Sequence, residues 1–134
     1  MRAIAVCASA QCPRGETILV VEDEVLVRIA LAETLRDEGF SVLEAANADE
    51  ALAVLASSTP LDVVLTDVNM PGSLDGVALG RHVRATRPGL KVIVVSGRVL
   101  PEVAAEAADA FLGKPYEPAS IVRTIDVLLS YRSE

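Results

Sequence analysis

Five side chains with chemical potential stand at or just past the ends of apolar runs. Glu22 and Asp23 follow Ile18–Val21, Asp67 follows LDVVLT (Leu61–Thr66), Ser96 ends KVIVVS (Lys91–Ser96), and Lys114 lies just past Ala110–Leu112. If those runs are parallel strands, their carboxyl ends gather three carboxylates, a hydroxyl and an ammonium at one sheet edge, where open α/β sheets bind ligands. Three carboxylates there repel one another unless a cation or a proton intervenes. Mg²⁺ takes few carboxylates, several waters and phosphate oxygens, which suits a shallow site of this kind. A carboxylate can also attack phosphorus and form an aspartyl phosphate, provided charge is neutralised as the bond forms. Asp67 is the candidate nucleophile, Lys114 a point charge for a phosphoryl oxygen, and the Ser96 hydroxyl a donor to another. Taken singly, each has a plainer reading as a helix cap, a turn residue or a surface lysine. Their joint placement favours a site.

Two neighbours bear on that pocket. Gly97 leaves room above it, and a turn requirement would explain the glycine equally well. Lys114–Pro115 is a candidate cis peptide bond, which would aim the lysine into the cleft.

The elements that must position these groups alternate regularly. Thr17–Glu22 reads as a buried strand. Val25, Ile29, Ala32 and Leu35 recur at helical spacing, with Gly39 as terminator. Phe40–Ala45 gives a second strand, and Asn47 with Glu50 three residues later predicts a capped helix running to about Ala56. After the strand that stops at Asp67, a loop rich in turn residues over Asn69–Gly76 leads to a helix ending near Arg87, where Pro88 and Gly89 break it. Lys91–Ser96 is a fourth strand and Ala110–Leu112 a short fifth. Pro118 opens a last helix bearing Ile121, Ile125 and Leu128 on one face. Between Ser96 and Ala110 Pro101 interrupts the pattern, so a fourth helix, with Val99, Val103 and Ala107 as its apolar face, is expected to be short or irregular. The alternation predicts a doubly wound parallel sheet.

Composition sets the outer bounds. The chain has 134 residues, enough for one domain with a single sizeable core. Aromatics make up only 3%, so Val, Leu, Ile and Ala must build that core. No apolar run approaches the roughly 20 residues that cross a bilayer, which argues against a membrane protein. The net charge is −7 and all 19 acidic residues follow Gly15, a surface that disfavours nucleic acid. Cys7 and Cys12, with no metal-ligand spacing, fit a reduced compartment. Residues 1–15 make a poor secretory signal and read as a flexible tail, a redox switch through the two cysteines being the alternative. Residues 16–134 form the expected domain.

From about Glu16 to Leu129 the chain resembles the response-regulator receiver family of two-component signalling. The resemblance rests on VVEDE (Val20–Glu24), TDVNMPG (Thr66–Gly72) with Asp75-Gly76, VVSG (Val94–Gly97) and FLGKPY (Phe111–Tyr116). It implies a flavodoxin-like (βα)5 fold with strand order 2-1-3-4-5. It further implies Asp67 as phosphoacceptor, Asp23, Asp67 and the Asn69 backbone carbonyl as Mg²⁺ ligands, and Glu22 as a contact through water. Ser96 would be the switch hydroxyl, Lys114 the pocket lysine and Phe111 the switch aromatic, while the Asn69 side chain would flank the incoming phosphoryl group or water. The implied donor is a phosphohistidine on a sensor histidine kinase or a histidine phosphotransfer protein, in the cytoplasm. The implied protein is a monomer or a phosphorylation-dependent dimer.

The chain departs from the commoner pattern in three places. Gly72-Ser73 lengthens the loop before Asp75 by one residue, and the Ser96–Lys114 interval is short by about one helical turn of roughly 3.6 residues. That shortening predicts a reshaped signalling surface around the fourth helix, fifth strand and fifth helix. The third departure is the tail before Glu16. Because the chain ends just after the last helix, output is expected through binding an unknown protein target, or as a phosphate sink. Competing readings are an unphosphorylated receiver-like adaptor, an aspartate-nucleophile phosphatase, which commonly carries an acid where Asn69 stands, and a mononucleotide or flavin binder, for which no Gly-rich loop follows the first strand.

Overall fold

A computed structural model of the chain describes residues 14–68, 75–97 and 107–130. The elements run β1 (Thr17–Val21), α1 (Val25–Asp37), β2 (Ser41–Ala45), α2 (Ala48–Ala56), β3 (Val63–Asp67), α3 (Gly76–Thr86), β4 (Lys91–Ser96), β5 (Ala110–Gly113) and α4 (Pro118–Ser130). All strand pairs are parallel, in the order β2-β1-β3-β4-β5. This is the flavodoxin-like order expected from the sequence. The segment expected to hold an irregular helix, with Val99, Pro101 and Val103, lies outside the described residues apart from Ala107.

The near-continuous apolar strands follow from burial on both faces. Ile18, Val20, Val63, Leu65, Ile93 and Val95 face one way and pack with Leu31, Ala32 and Leu35 of α1 and Ile121 and Ile125 of α4. The intervening Leu19, Val21, Val64, Val92 and Val94 pack with Ala51 and Leu55 of α2 and Leu79 and Val83 of α3. Removing each fully buried aliphatic side chain from water contributes roughly 1.5–3 kcal/mol, and among the described residues Phe40 is the one buried aromatic, with Tyr116 packed against the same cluster. The strand order reverses at β1 and β3, so a crevice opens at their carboxyl ends.

Local signals account for most boundaries. The Asn47 side chain accepts from the Glu50 N–H at 2.8 Å while the Glu50 carboxylate accepts from the Ala46 N–H at 2.7 Å, fixing the start of α2. Asp75 caps α3 by accepting from the Ala78 N–H at 2.8 Å. At the far end of the same layer, the Arg87 guanidinium donates to the carbonyls of Leu55, Ser57 and Thr59, satisfying the frayed end of α2.

α1 differs from its expected face. Val25 and Ile29 are exposed, and the buried stripe is Leu31, Ala32 and Leu35, with Val27 packed against it. Apolar residues occur on nearly every side of its first half, so periodicity alone could not orient it.

Candidate phosphoacceptor site

The acidic pair lies where β1 becomes a turn. The Glu22 N–H makes the last sheet-like bond, to the Ala45 carbonyl at 3.0 Å. Its carboxylate then accepts from the Glu24 N–H at 3.1 Å, folding the turn that carries Asp23. Glu22 is buried and Asp23 exposed. Asp67 is the last residue of β3 and is buried at 7% exposure. Its position is held from behind: the Val68 N–H donates to the Val95 carbonyl at 3.0 Å, and a side chain on Gly76 would collide with the Asp67 backbone. Only glycine lets α3 begin that close to β3.

The opposite wall comes from β4 and β5. Ser96, buried at the end of β4, pairs in register with Gly113. Its carbonyl accepts from the Lys114 N–H at 2.8 Å, which turns the chain toward the crevice. Lys114–Pro115 is cis. The lysine Nζ donates to Asp67 Oδ2 at 2.9 Å. Among the described residues, a Cβ on Gly97 would meet the Lys114 Cβ at 3.9 Å, an ordinary contact.

The three acids converge: carboxylate oxygens of Glu22, Asp23 and Asp67 lie within 4.8 Å of one another. Burial, reinforced by the Asp67 charge, pushes the Glu22 carboxyl up to about 7, against the lowering effects of the Glu24 N–H and Lys114. Burial also opposes the Lys114 charge, but the hydrogen bond to Asp67 and the charges of Asp67 and Glu22 outweigh it and hold the ammonium above its ordinary value. Burial raises the Tyr116 phenol, partly offset by Lys114. Among the described residues one ammonium, Lys114, contacts the cluster of three acids, and an all-oxygen donor set fits a hard divalent ion. Glu22, Asp23 and Asp67 could hold Mg²⁺ there.

The structure thus brings Glu22, Asp23, Asp67, Ser96, Gly97, Lys114 and Pro115 to one edge. Phe111 points away on β5 and is 39% exposed, while its neighbour Leu112 packs against the core. Asn69 and the lengthened Gly72-Ser73 loop lie outside the described residues, as do Cys7 and Cys12. Sequence reasoning missed Arg28, whose guanidinium donates to the Glu22 carbonyl at 2.9 Å.

Residues 18–126 match the sequence model of the response regulator receiver domain. The chain belongs to that family. Among curated receiver-containing relatives, the sensor kinase CckA of Brucella abortus is 38% identical over 121 residues, covering 84% of this chain and 12% of the relative. The transcriptional regulatory protein PdtaR of Mycobacterium tuberculosis is 35% identical over 127 residues, covering 92% of this chain and 60% of the relative. The chain therefore spans only part of the length of these relatives. Among solved structures, the response regulator TrrA of Thermotoga maritima, in complex with Mg²⁺–BeF, superposes with a TM-score of 0.78 at 29% identity, covering 84% of this chain and 98% of that one. Receiver domains are generally signalling modules, and no helix among the described residues is long and apolar enough to cross a membrane.

Proposed function

We propose that this receiver domain accepts a phosphoryl group on Asp67 from a phosphohistidine and signals through the resulting change of surface. The observation that carries the reading is the contact between Lys114 Nζ and Asp67 Oδ2 at 2.9 Å inside a cluster of three converging acids. Asp67 attacks phosphorus with a carboxylate oxygen. An O–P bond forms as the N–P bond to the donor imidazole breaks, and the imidazole keeps that electron pair and takes up a proton. Lys114 then follows the phosphoryl oxygens, and the Ser96 hydroxyl donates to one of them. Asp23, Asp67, the Asn69 backbone carbonyl and, through water, Glu22 would hold Mg²⁺, which supplies charge neutralisation as the phosphoryl group arrives. The Thermotoga maritima relative was solved in complex with Mg²⁺–BeF, which supports a Mg²⁺ site in this domain.

The donor is a sensor histidine kinase or a histidine phosphotransfer protein in the cytoplasm. Residues 16–134 act as the receiver unit, preceded by a tail at 1–15, and the match over 18–126 supports that division. The domain catalyses only its own phosphorylation and dephosphorylation. Its output is contact with a protein target, as a monomer or a phosphorylation-dependent dimer with Phe111 in the switching surface, or service as a phosphate sink. Its acidic charge supports protein rather than nucleic-acid partners.

Intact-mass spectrometry after incubation with acetyl phosphate, with and without Mg²⁺, tests this on the wild type and Asp67→Asn. One Mg²⁺-dependent phosphoryl adduct, absent from the variant, is expected. No adduct, even with a cognate phosphohistidine protein supplied, would make the domain an unphosphorylated adaptor.

A further inference from the structure

The turn Glu22–Glu24, which carries both acids of the β1 end, is bracketed by Arg28, whose side chain holds one end and whose N–H makes the first helical bond of α1 at the other. The Arg28 side chain donates to the Glu22 carbonyl at 2.9 Å, and the Arg28 N–H donates to the Glu24 carbonyl at 2.9 Å. Between these contacts the turn is held internally through the Glu22 carboxylate, which accepts from the Glu24 N–H and interacts with the Asp23 side chain, and that carboxylate belongs to the acidic cluster. We infer that Arg28 is a positioning residue that holds Glu22 and Asp23 in place for a divalent cation, an inference that rests on the reading of the acids as a Mg²⁺ site.

The guanidinium suits this task because it is itself braced. Arg28 Nε lies 3.4 Å from Glu44 Oε1 on β2, and the other oxygen of Glu44 pairs with Arg36 at 3.1 Å. Arg36 also donates to the Val42 carbonyl at 3.0 Å. A line of contacts therefore runs from the edge strand β2 through Glu44 and Arg28 to the backbone of Glu22. The fork of an arginine can serve the carboxylate and the carbonyl at once, with little freedom lost per bond; a lysine ammonium on a flexible stem serves one of them. Asp23 is exposed and is tied to the Glu22 side chain, itself part of the turn. Its placement follows the turn, which is held by the Glu22 N–H bond to Ala45, by the Glu24 N–H bond to the Glu22 carboxylate and, as its side-chain anchor from α1, by Arg28. Without that anchor, the ion itself would have to order both acids when it binds.

Calorimetric titration of the metal-free chain with MgCl₂ tests the role, with thermal unfolding followed in parallel. Groups that orient ligands typically contribute ten-fold or more to metal affinity, so Arg28→Met is expected to weaken Mg²⁺ binding by about ten-fold and Arg28→Lys by less. Glu44→Gln should weaken it in the same direction, and adding it to Arg28→Met should bring little further loss, because the two act through one contact. Arg87→Met, which removes the clamp on α2 far from the acids, should lower the unfolding temperature and leave Mg²⁺ affinity unchanged. Wild-type affinity in Arg28→Met would overturn the inference. So would an equal loss in Arg87→Met, which would tie affinity to general stability. If Arg28→Met does not fold, Arg28→Lys with wild-type affinity overturns it in the same way. A wild type that takes up no Mg²⁺ would instead remove the metal reading, and the positioning role with it.

Discussion

The carbonyl oxygen of Ala107 occupies the space that a Cβ on Gly80 would need. Gly80 belongs to a ridge of α3 with a residue every fourth position: Gly76 against the Asp67 backbone, Gly80 against Ala107, and Arg84 paired with Asp109 at 3.0 Å. Asp109 is in turn bonded to the backbone of Val92 in both directions. The crossover from β4 is about one turn of roughly 3.6 residues shorter than the family commonly has, and here its end lies directly on the helix. In a free helix, alanine in place of glycine stabilises by about 1 kcal/mol. At this site the added methyl meets a backbone oxygen that no rotamer change can move, and overpacking costs typically 1–3 kcal/mol. Gly80→Ala is therefore expected to destabilise in urea denaturation. A gain in stability would mean that the end of the crossover yields without cost.

Lys114 sits 2.9 Å from a carboxylate that is buried and flanked by two more. Lys114→Ala removes a cation that competes with Mg²⁺ for the same negative charge. Its Mg²⁺ affinity in calorimetry should be preserved or rise, by up to about ten-fold if roughly 1.4 kcal/mol of repulsion is relieved. The phosphorylation-induced change in the amide NMR spectrum should shrink, because the β5 end then has no cation to follow the phosphoryl oxygens. Weaker Mg²⁺ binding would mean that the lysine props the acids in place. An unchanged spectral response would remove its assigned role.

Much of this arrangement is legible in sequence because the strands are buried on both faces and so read as unbroken apolar runs. Lys91–Ser96 is read to the residue, and the acids stand out because they interrupt such runs. Boundaries move where a polar residue serves the backbone: Asp62 looks like part of the third strand, but its carboxylate accepts from the Thr17 N–H at 2.8 Å before β3 begins at Val63. Arg28 was illegible because its partner at the site is a main-chain carbonyl, which no residue type announces. Gly80 was illegible because its partner is also main chain and distant in sequence. Periodicity misplaced the face of α1 because Val25, Leu26, Val27 and Ile29 leave no polar side to exclude.

Those apolar residues at the start of α1 lie beside the crevice, since the helix begins three residues after Glu22. Leu26 is 78% exposed and borders a groove of about 270 Å³ between α1 and the start of α4, walled by Ala30, Leu31, Thr34, Tyr116 and Pro118. If the proposed phosphohistidine donor approaches Asp67 across this rim, Leu26 is expected to be part of its footprint. Leu26→Asp, at an exposed position, should leave labelling by acetyl phosphate unchanged. Transfer from the donor protein should slow by about ten-fold, the effect of losing one significant apolar contact of roughly 1.4 kcal/mol. Equal rates with both donors would place the donor's contact elsewhere.

The raised Glu22 carboxyl makes stability depend on pH with a definite sign. Its value moves from 4.5 to about 7 in the folded, metal-free chain. Between those values the folded state binds more protons than the unfolded one, so stability falls as pH rises through that window. The loss is on the order of 1–3 kcal/mol, from about 1.4 kcal/mol per unit with allowance for relaxation around the group. Above pH 7 the carboxylate is ionised in both states, and the slope from this residue ends. Mg²⁺ favours the ionised acids, so saturating Mg²⁺ should flatten or reverse the slope, and Glu22→Gln should abolish it without Mg²⁺. Urea denaturation from pH 5 to 8, with and without MgCl₂, reads this directly. A metal-free wild type whose stability rises across that range would show that the cluster already holds enough positive charge to keep Glu22 ionised.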